Sequence, residues 1–334
     1  MKVDAGLMGG LAEVPQRIRE LEAAGYDGAI TAETSHDPFF PLLLAAEHST
    51  RIELMTSIAV AFARSPMILA NLAHDLNAYS KGRFTLGLGS QIQPHITKRF
   101  SMPWSHPAPR MRELILAMRA IWKNWYEGAK LEFRGEFYTH TLMTPMFTPQ
   151  DTKYGVPKVF LAAVGPLMTE VAGETADGMI AHAFTTERYM REVTLPALDR
   201  GLAKAGRKRS DFQLAFPAFV VTGANEKAWL EQRAAVCKQI AFYGSTPAYR
   251  PVLELHGWGG LQTELNSLSK QGQWDKMGEL VDDQILEAFA IVGTPDEIVP
   301  KLRARYGDTV DRVTLTFGFG AKASSQELIA KLHG

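Results

Sequence analysis

RIELMTSIAVAFARSPMILANLAHDLNAYSKGRFTLGL, residues 51–88, holds one complete strand–helix–strand unit. Residues 51–63 form a nearly unbroken apolar run, as a strand covered on both faces requires. Pro66 opens a helix that runs to Tyr79, and proline is well placed in a first helical turn. Lys81-Gly82 closes that helix, and residues 83–88 read as the next strand. Two apolar strands joined by a helix define a parallel pair.

The same alternation extends in both directions. Upstream, residues 2–7 form a strand ending at Gly9-Gly10. Val14, Ile18, Leu21 and Ala24 then share one helical face, stopped by Gly25. Residues 27–31 (DGAIT) form the second strand and 41–48 the second helix. Downstream, strands are expected at 158–163, 177–182, 213–221 and 311–317. Helices are expected at 110–126, 167–175, 189–205, 227–242 and 297–306. Strands thus begin near residues 2, 27, 52, 83, 158, 177, 213 and 311. Eight parallel strands alternating with helices predict a single α/β domain over 1–334, a (β/α)8 TIM barrel. A doubly wound open sheet is the alternative. Two insertions interrupt the pattern. Residues 89–109, after strand four, show no clear period, and 243–283, between strands seven and eight, read as mixed helical pieces around a Gly257–Gly260 turn. A small hairpin is expected around Arg134-Gly135.

Composition narrows the function. Lys plus Arg is 36 and Asp plus Glu is 36, so no net field recruits nucleic acid or an anionic membrane. The single cysteine, Cys237, fits a reducing compartment, and no secretory leader or 18-residue apolar span is read. A globular cytoplasmic protein is expected.

In such a barrel the chemistry sits at the C-terminal ends of the strands. Those ends place Glu33 to His36, Ser57 to Ala61, Ser90 to His95, Val164 to Met168, His182 to Thr186 and Gly318 to Gly320 on the candidate surface, along with Leu7-Met8. Gly87-Leu88-Gly89 ends strand four, either as a tight turn or as room for a planar ring. Gly165-Pro166 opens a helix whose first N–H groups hold a phosphate, or is a plain turn. His36, His95 and His182 can exchange protons near neutral pH, or are loop histidines bonded to neighbours. Their spacing suits no metal, and there is neither a P-loop nor a G-x-S-x-G elbow. Met8, Met102, Met143 and Met146 are read as a soft pocket wall or as core filler.

Residues 51–91, together with GYDGAITAETSHDPF, FLAAVGPLMTEVAGETADGMI and AIVGTPDEIVPKLR, resemble the corresponding blocks of luciferase-like monooxygenases over nearly the whole chain. GLGSQIQPHITKRFSMPWSHPAPRMRE is similar to the branch that uses the deazaflavin coenzyme F-420. The resemblance implies a hydride-transferring oxidoreductase and a homodimer. It implies a non-prolyl cis peptide at Ser57-Ile58 backing the ring, phosphate contacts at Gly165, Pro166, Leu167 and Met168, and ring contacts at Ser90 and Gln91. Glu33, Thr34 and His182 join the implied cofactor set. Sugar-phosphate dehydrogenases of this branch carry Asp-His after strand two, an acid after strand four and a lysine after strand six. Here those places hold Glu33-Thr34, Gln91-Ile92 and Thr185 or Thr186. His36, His95 and Arg99 are therefore the candidates for proton transfer or substrate anchoring. A reduced-FMN monooxygenase and a non-catalytic flavin-binding barrel are the alternatives.

Overall fold

The computed structural model describes residues 1–318 and 326–333. Strands β1 (Lys2–Gly6), β2 (Gly28–Thr31), β3 (Glu53–Thr56), β4 (Phe84–Gly89), β5 (Lys158–Ala163), β6 (Gly178–Ala181), β7 (Gln213–Val221) and β8 (Arg312–Thr316) fall where the sequence alternation predicts. They are hydrogen-bonded in that order, and β8 leads back to β1. The pairing is parallel from β1 through β5 and between β7 and β8. The fold is a (β/α)8 barrel, with the expected insertions after β4 and between β7 and β8.

The chain packs as two compact units. The larger holds residues 4–180 and 197–213, with β2 through β6 and helices α1 (Val14–Ala23), α2 (Phe39–Glu47), α3 (Pro66–Tyr79), α4 (Pro107–Glu127) and α5 (Pro166–Thr175). Helix α3 starts as its sequence dictates, with Ser65 accepting the Ile68 N–H and Pro66 at the first position. Its strands are mostly buried, with Leu54, Leu86, Leu88, Val159 and Leu161 at 0% exposure. The half-buried Glu113 carboxylate accepts the N–H groups of Glu136, Phe137 and Tyr138. It pins a hairpin whose strands are Phe133–Arg134 and Thr139–His140, a slightly later turn than predicted.

The smaller unit holds residues 1–3, 181–196 and 214–334. Its core gathers Phe184, Phe219, Val221, Val236, Ile240, Leu265, Leu286 and Phe289. The mixed stretch resolves into short helices Arg250–Leu255, Gly259–Lys270, Trp274–Glu279 and Asp283–Phe289. A strand not expected from the sequence, Ala290–Val292, pairs parallel with Phe219–Val221. The long apolar run at 51–63 also departs from expectation. It breaks after Thr56, resumes as Ala59–Val60 and turns into a short helix, Ala61–Ala63. Of the strand-eight end at 318–320, only Gly318 lies within the described residues.

Candidate active site

The break in the third strand is held from both sides by hydrogen bonds. The Ser57–Ile58 peptide is cis, as the resemblance implies. Ser57 N–H donates to Thr31 O at 2.6 Å, and Glu33 N–H donates to Ile58 O at 3.1 Å. Thr56 Oγ1 donates to Gly87 O at 2.7 Å and accepts the Gly87 N–H at 2.9 Å. Glu33 Oε2 accepts the Val60 N–H at 2.7 Å and Arg64 Nη1 at 2.7 Å. Arg64 Nη2 reaches Asp37 Oδ2 at 3.0 Å, and its guanidinium lies 5.3 Å from the Phe39 ring centroid. Both sides of the bulge are thereby tied, to β2 and to β4, while Ser57 and Ile58 stay only half-buried. The glycines of β4 belong to this packing. A Cβ on Gly87 would lie 1.8 Å from Thr56 O, and one on Gly89 would lie 2.8 Å from the Ile58 side chain. The space at these two glycines is thus filled by the neighbouring strand.

Beyond β4, Ser90 and Gln91 are half-buried, and Gln91 has left-handed backbone, φ 60°. The stretch predicted as aperiodic contains a π-helical turn, His95–Arg99. Arg99 donates to Thr34 O, so it ties this turn to the loop after β2. At the far end of the insertion, Trp104 packs edge-on to Phe62 at 5.7 Å, and Arg110 lies 5.1 Å from the same ring. His36 and His95 are exposed. The four methionines do not act as core filler: Met8 is 64% and Met146 88% exposed. Helix α5 begins at an extended Gly165 with no side-chain cap. Among the described residues, chain neighbours aside, no atom lies within 4 Å of where a Cβ on Gly165 would sit, and Leu167 is 72% exposed. The first N–H groups of a helix so begun are open to an anion.

His182 belongs to the smaller unit, immediately after β6. Its Nδ1 accepts the Phe184 N–H at 3.0 Å, and its Nε2 lies 3.2 Å from Tyr249 Oη. The ring meets Tyr243 edge-on at 4.7 Å and Tyr249 at 4.6 Å. Thr186 caps the following turn through the Tyr189 N–H and touches His256 Nε2 at 2.8 Å, while His256 stacks on Trp258 at 4.5 Å. Thr186 is thus engaged in the fold.

Burial pushes the His182 imidazole down to about 4 from an ordinary 6.5. A depressed histidine costs stability as pH falls, because the unfolded chain binds the proton first. Between pH 7 and pH 5 the folded protein should lose about 2 kcal/mol relative to His182→Gln. Urea midpoints of the two proteins at both pH values measure this; parallel pH dependence would refute it.

The sequence pattern of the luciferase-like monooxygenases matches residues 2–312, and the chain belongs to that family. It is an enzyme of the luciferase-like oxidoreductase class. It is 57% identical to the uncharacterized protein Rv1360 of Mycobacterium tuberculosis over 329 residues, 98% of this chain and 96% of that one. It is 28% identical to the 5,10-methylenetetrahydromethanopterin reductase of Archaeoglobus fulgidus, over 96% of this chain and 94% of the relative. The coenzyme F-420 dependent tetrahydromethanopterin reductase from Methanopyrus kandleri has the same fold. The TM-score is 0.77, at 22% identity, over 98% of this chain and 95% of that one.

Arg64 and Tyr249 went unnoticed in the sequence. Arg64 did carry a signal, as the one charge after a ten-residue uncharged run, 54–63, and directly before a helix cap. Tyr249 carried none, because 243–283 has no period from which to place it.

Proposed function

We propose that this chain, working over 1–334 as one cytoplasmic luciferase-like domain, is a coenzyme F-420-dependent oxidoreductase. It would move a hydride between the deazaflavin and a small organic substrate. The bulge at Ser57–Val60 carries this reading. It is a rigid backbone step at the C-terminal end of a barrel strand, held by Glu33 on one side and by Gly87 and Gly89 on the other.

The residues present fit such a cofactor. Ser57 and Ile58, half-buried, offer a backing for one ring face, with Ser90 and Gln91 beside it. The uncapped start of α5 leaves the N–H groups of Leu167 and Met168 for a phosphate, with Gly165 and Pro166 keeping the approach clear. Once bound, a deazaflavin supplies two-electron hydride chemistry at its ring carbon. The chain supplies orientation and protons. Glu33 acts through the bulge that it fixes. Arg99 sets the Thr34 loop by holding its carbonyl. His36 and His95, exposed beside those loops, would anchor the substrate or pass it a proton. Phe40 and Leu43 on α2 and Ile68 on α3 are exposed, the apolar surface that a homodimer would cover.

Fluorescence titration with oxidised F-420 and, separately, with FMN tests the reading, and light scattering on the loaded sample gives the subunit number. Quenching is expected to saturate at far lower F-420 than FMN. The reverse order would replace this proposal with a reduced-FMN monooxygenase. Binding of neither would overturn both.

A further inference from the structure

We propose that the larger unit carries a second binding site, at the N-terminal ends of its strands, for a zwitterion of amino-acid size with an apolar side chain. A cavity of about 340 Å³ opens there, and every residue lining it belongs to the larger unit. Val156 and Pro157 lead into β5, Asp177 into β6 and Phe212 into β7. The bulge and the Gly165 turn lie at the other ends of the strands. Along β5 that separation is about 17 Å at the usual rise per residue. The volume is at the low end of ligand sites, about 300–1,000 Å³, and well above the ~30 Å³ share of one water.

The floor of the cavity is fixed. Asp177 N–H donates to Val159 O at 2.7 Å, and Asp177 Oδ2 accepts the Val159 N–H at 2.8 Å. The same oxygen takes Arg119 Nη2 at 2.7 Å, so this ion pair neutralises itself. Gln213 N–H donates to Asp177 O at 3.2 Å and ties the floor to the start of β7.

Two charges on the walls are not neutralised. Among the described residues Lys158 Nζ has neither a hydrogen-bond nor an ionic partner. Asp211 accepts the Lys208 N–H at 3.2 Å and the Ser210 hydroxyl at 3.3 Å, but it pairs with no cation. Both line the same cavity, yet they stay more than 4.0 Å apart. A simple anion drawn to Lys158 would share the space with Asp211, and a simple cation drawn to Asp211 would share it with Lys158. A molecule that carries both a carboxylate and an ammonium satisfies the two at once. Arg119 adds donors, because only its Nη2 is engaged while Nε and Nη1 are unclaimed. Val156, 43% exposed, and the adjoining Pro157 give the apolar surface for the ligand's side chain.

Calorimetric titration of the full-length protein with leucine and phenylalanine tests the inference. Phenylacetate, phenethylamine and glycine serve as probes that each lack one recognised part. Leucine or phenylalanine should bind saturably. Phenylacetate and phenethylamine should bind at least tenfold more weakly, the worth of one charge-assisted hydrogen bond, and glycine should lose the apolar contact. Lys158→Ala and Asp211→Asn should each weaken the amino acid about tenfold. Neither should move the thermal midpoint, since both side chains are exposed. The losses should follow charge: Asp211→Asn should spare phenylacetate, and Lys158→Ala should spare phenethylamine. F-420 affinity should be the same in both variants, because neither residue touches the bulge or the Gly165 turn, and the inference stands whatever the cofactor. Phenylacetate binding as tightly as phenylalanine would overturn it in favour of an anion site. Amino-acid binding that survives both substitutions would place the ligand elsewhere, and binding of neither amino acid would leave the cavity without the ligand proposed; each refutes the inference.

Discussion

Gly87→Ala should prevent the barrel from folding. The added Cβ would sit 1.8 Å from Thr56 O and 3.0 Å from both Thr56 C and Ile180 Cδ1. Neither strand can retreat. Gly87 is held through its N–H and its C=O by the same Thr56 hydroxyl, and Thr56 is 0% exposed. Backbone against backbone offers no rotamer to change, so the expected cost exceeds about 4 kcal/mol, in the range reserved for gross core disruption. Gly89→Ala provides the comparison. There the obstruction is the Ile58 side chain at 2.8 Å, which can move. That variant should fold, with a loss of about 1–3 kcal/mol as expected for overpacking. Ile58→Ala added to it should recover part of that loss, since the clash is with the atoms removed. Urea denaturation of the soluble variants and the soluble yield of Gly87→Ala decide the matter. A Gly87→Ala protein with a wild-type midpoint would mean that β3 and β4 are not packed this closely.

This pair of glycines shows where the sequence was legible and where it was not. The barrel strands were readable because each is a short apolar run punctuated by glycine, proline or charge, and the parallel architecture follows from their alternation with helices. The bulge was not. TSIAVAFA reads as one continuous strand, and it is broken by partners at Glu33, Thr31 and Gly87, which no local pattern connects to it. Only the resemblance to a family marked Ser57-Ile58. Residues 89 and 87 posed the same difficulty: G-x-G fits a turn or a ring, and the choice lies in what the adjacent strand does. The strand Ala290–Val292 was hidden for another reason. ILEAFAIV, residues 285–292, runs from helix to strand with no turn residue between, so its apolar period does not announce the change. His182 was found by its place at a strand end, but its role depends on a tautomer set by the Phe184 N–H.

The second large effect is expected at Glu33. Glu33→Ala removes the carboxylate that joins the Val60 N–H to Arg64, in an ion pair whose side chains are 14% and 6% exposed. Breaking a buried pair on one side leaves a charge without its counterion, which costs about 3–5 kcal/mol. Asp37 remains on the other fork of Arg64, and Phe39 remains beneath it, so the lower end, about 3 kcal/mol, is expected. Glu33→Gln should cost less, because the amide oxygen can still accept the Val60 N–H. Glu33→Ala with Arg64→Met should be more stable than Glu33→Ala alone, since no guanidinium is then stranded in the wall of the bulge. Function should not recover in parallel. The double variant restores packing but leaves the Val60 N–H without its acceptor, so the backbone step at Ser57–Val60 loses its clamp. Its F-420 affinity should stay at the level of Glu33→Ala while its urea midpoint rises. If affinity and stability rise together, Glu33 matters only as a counterion; if affinity alone stays low, the carboxylate belongs to the cofactor site through the bulge that it holds in place.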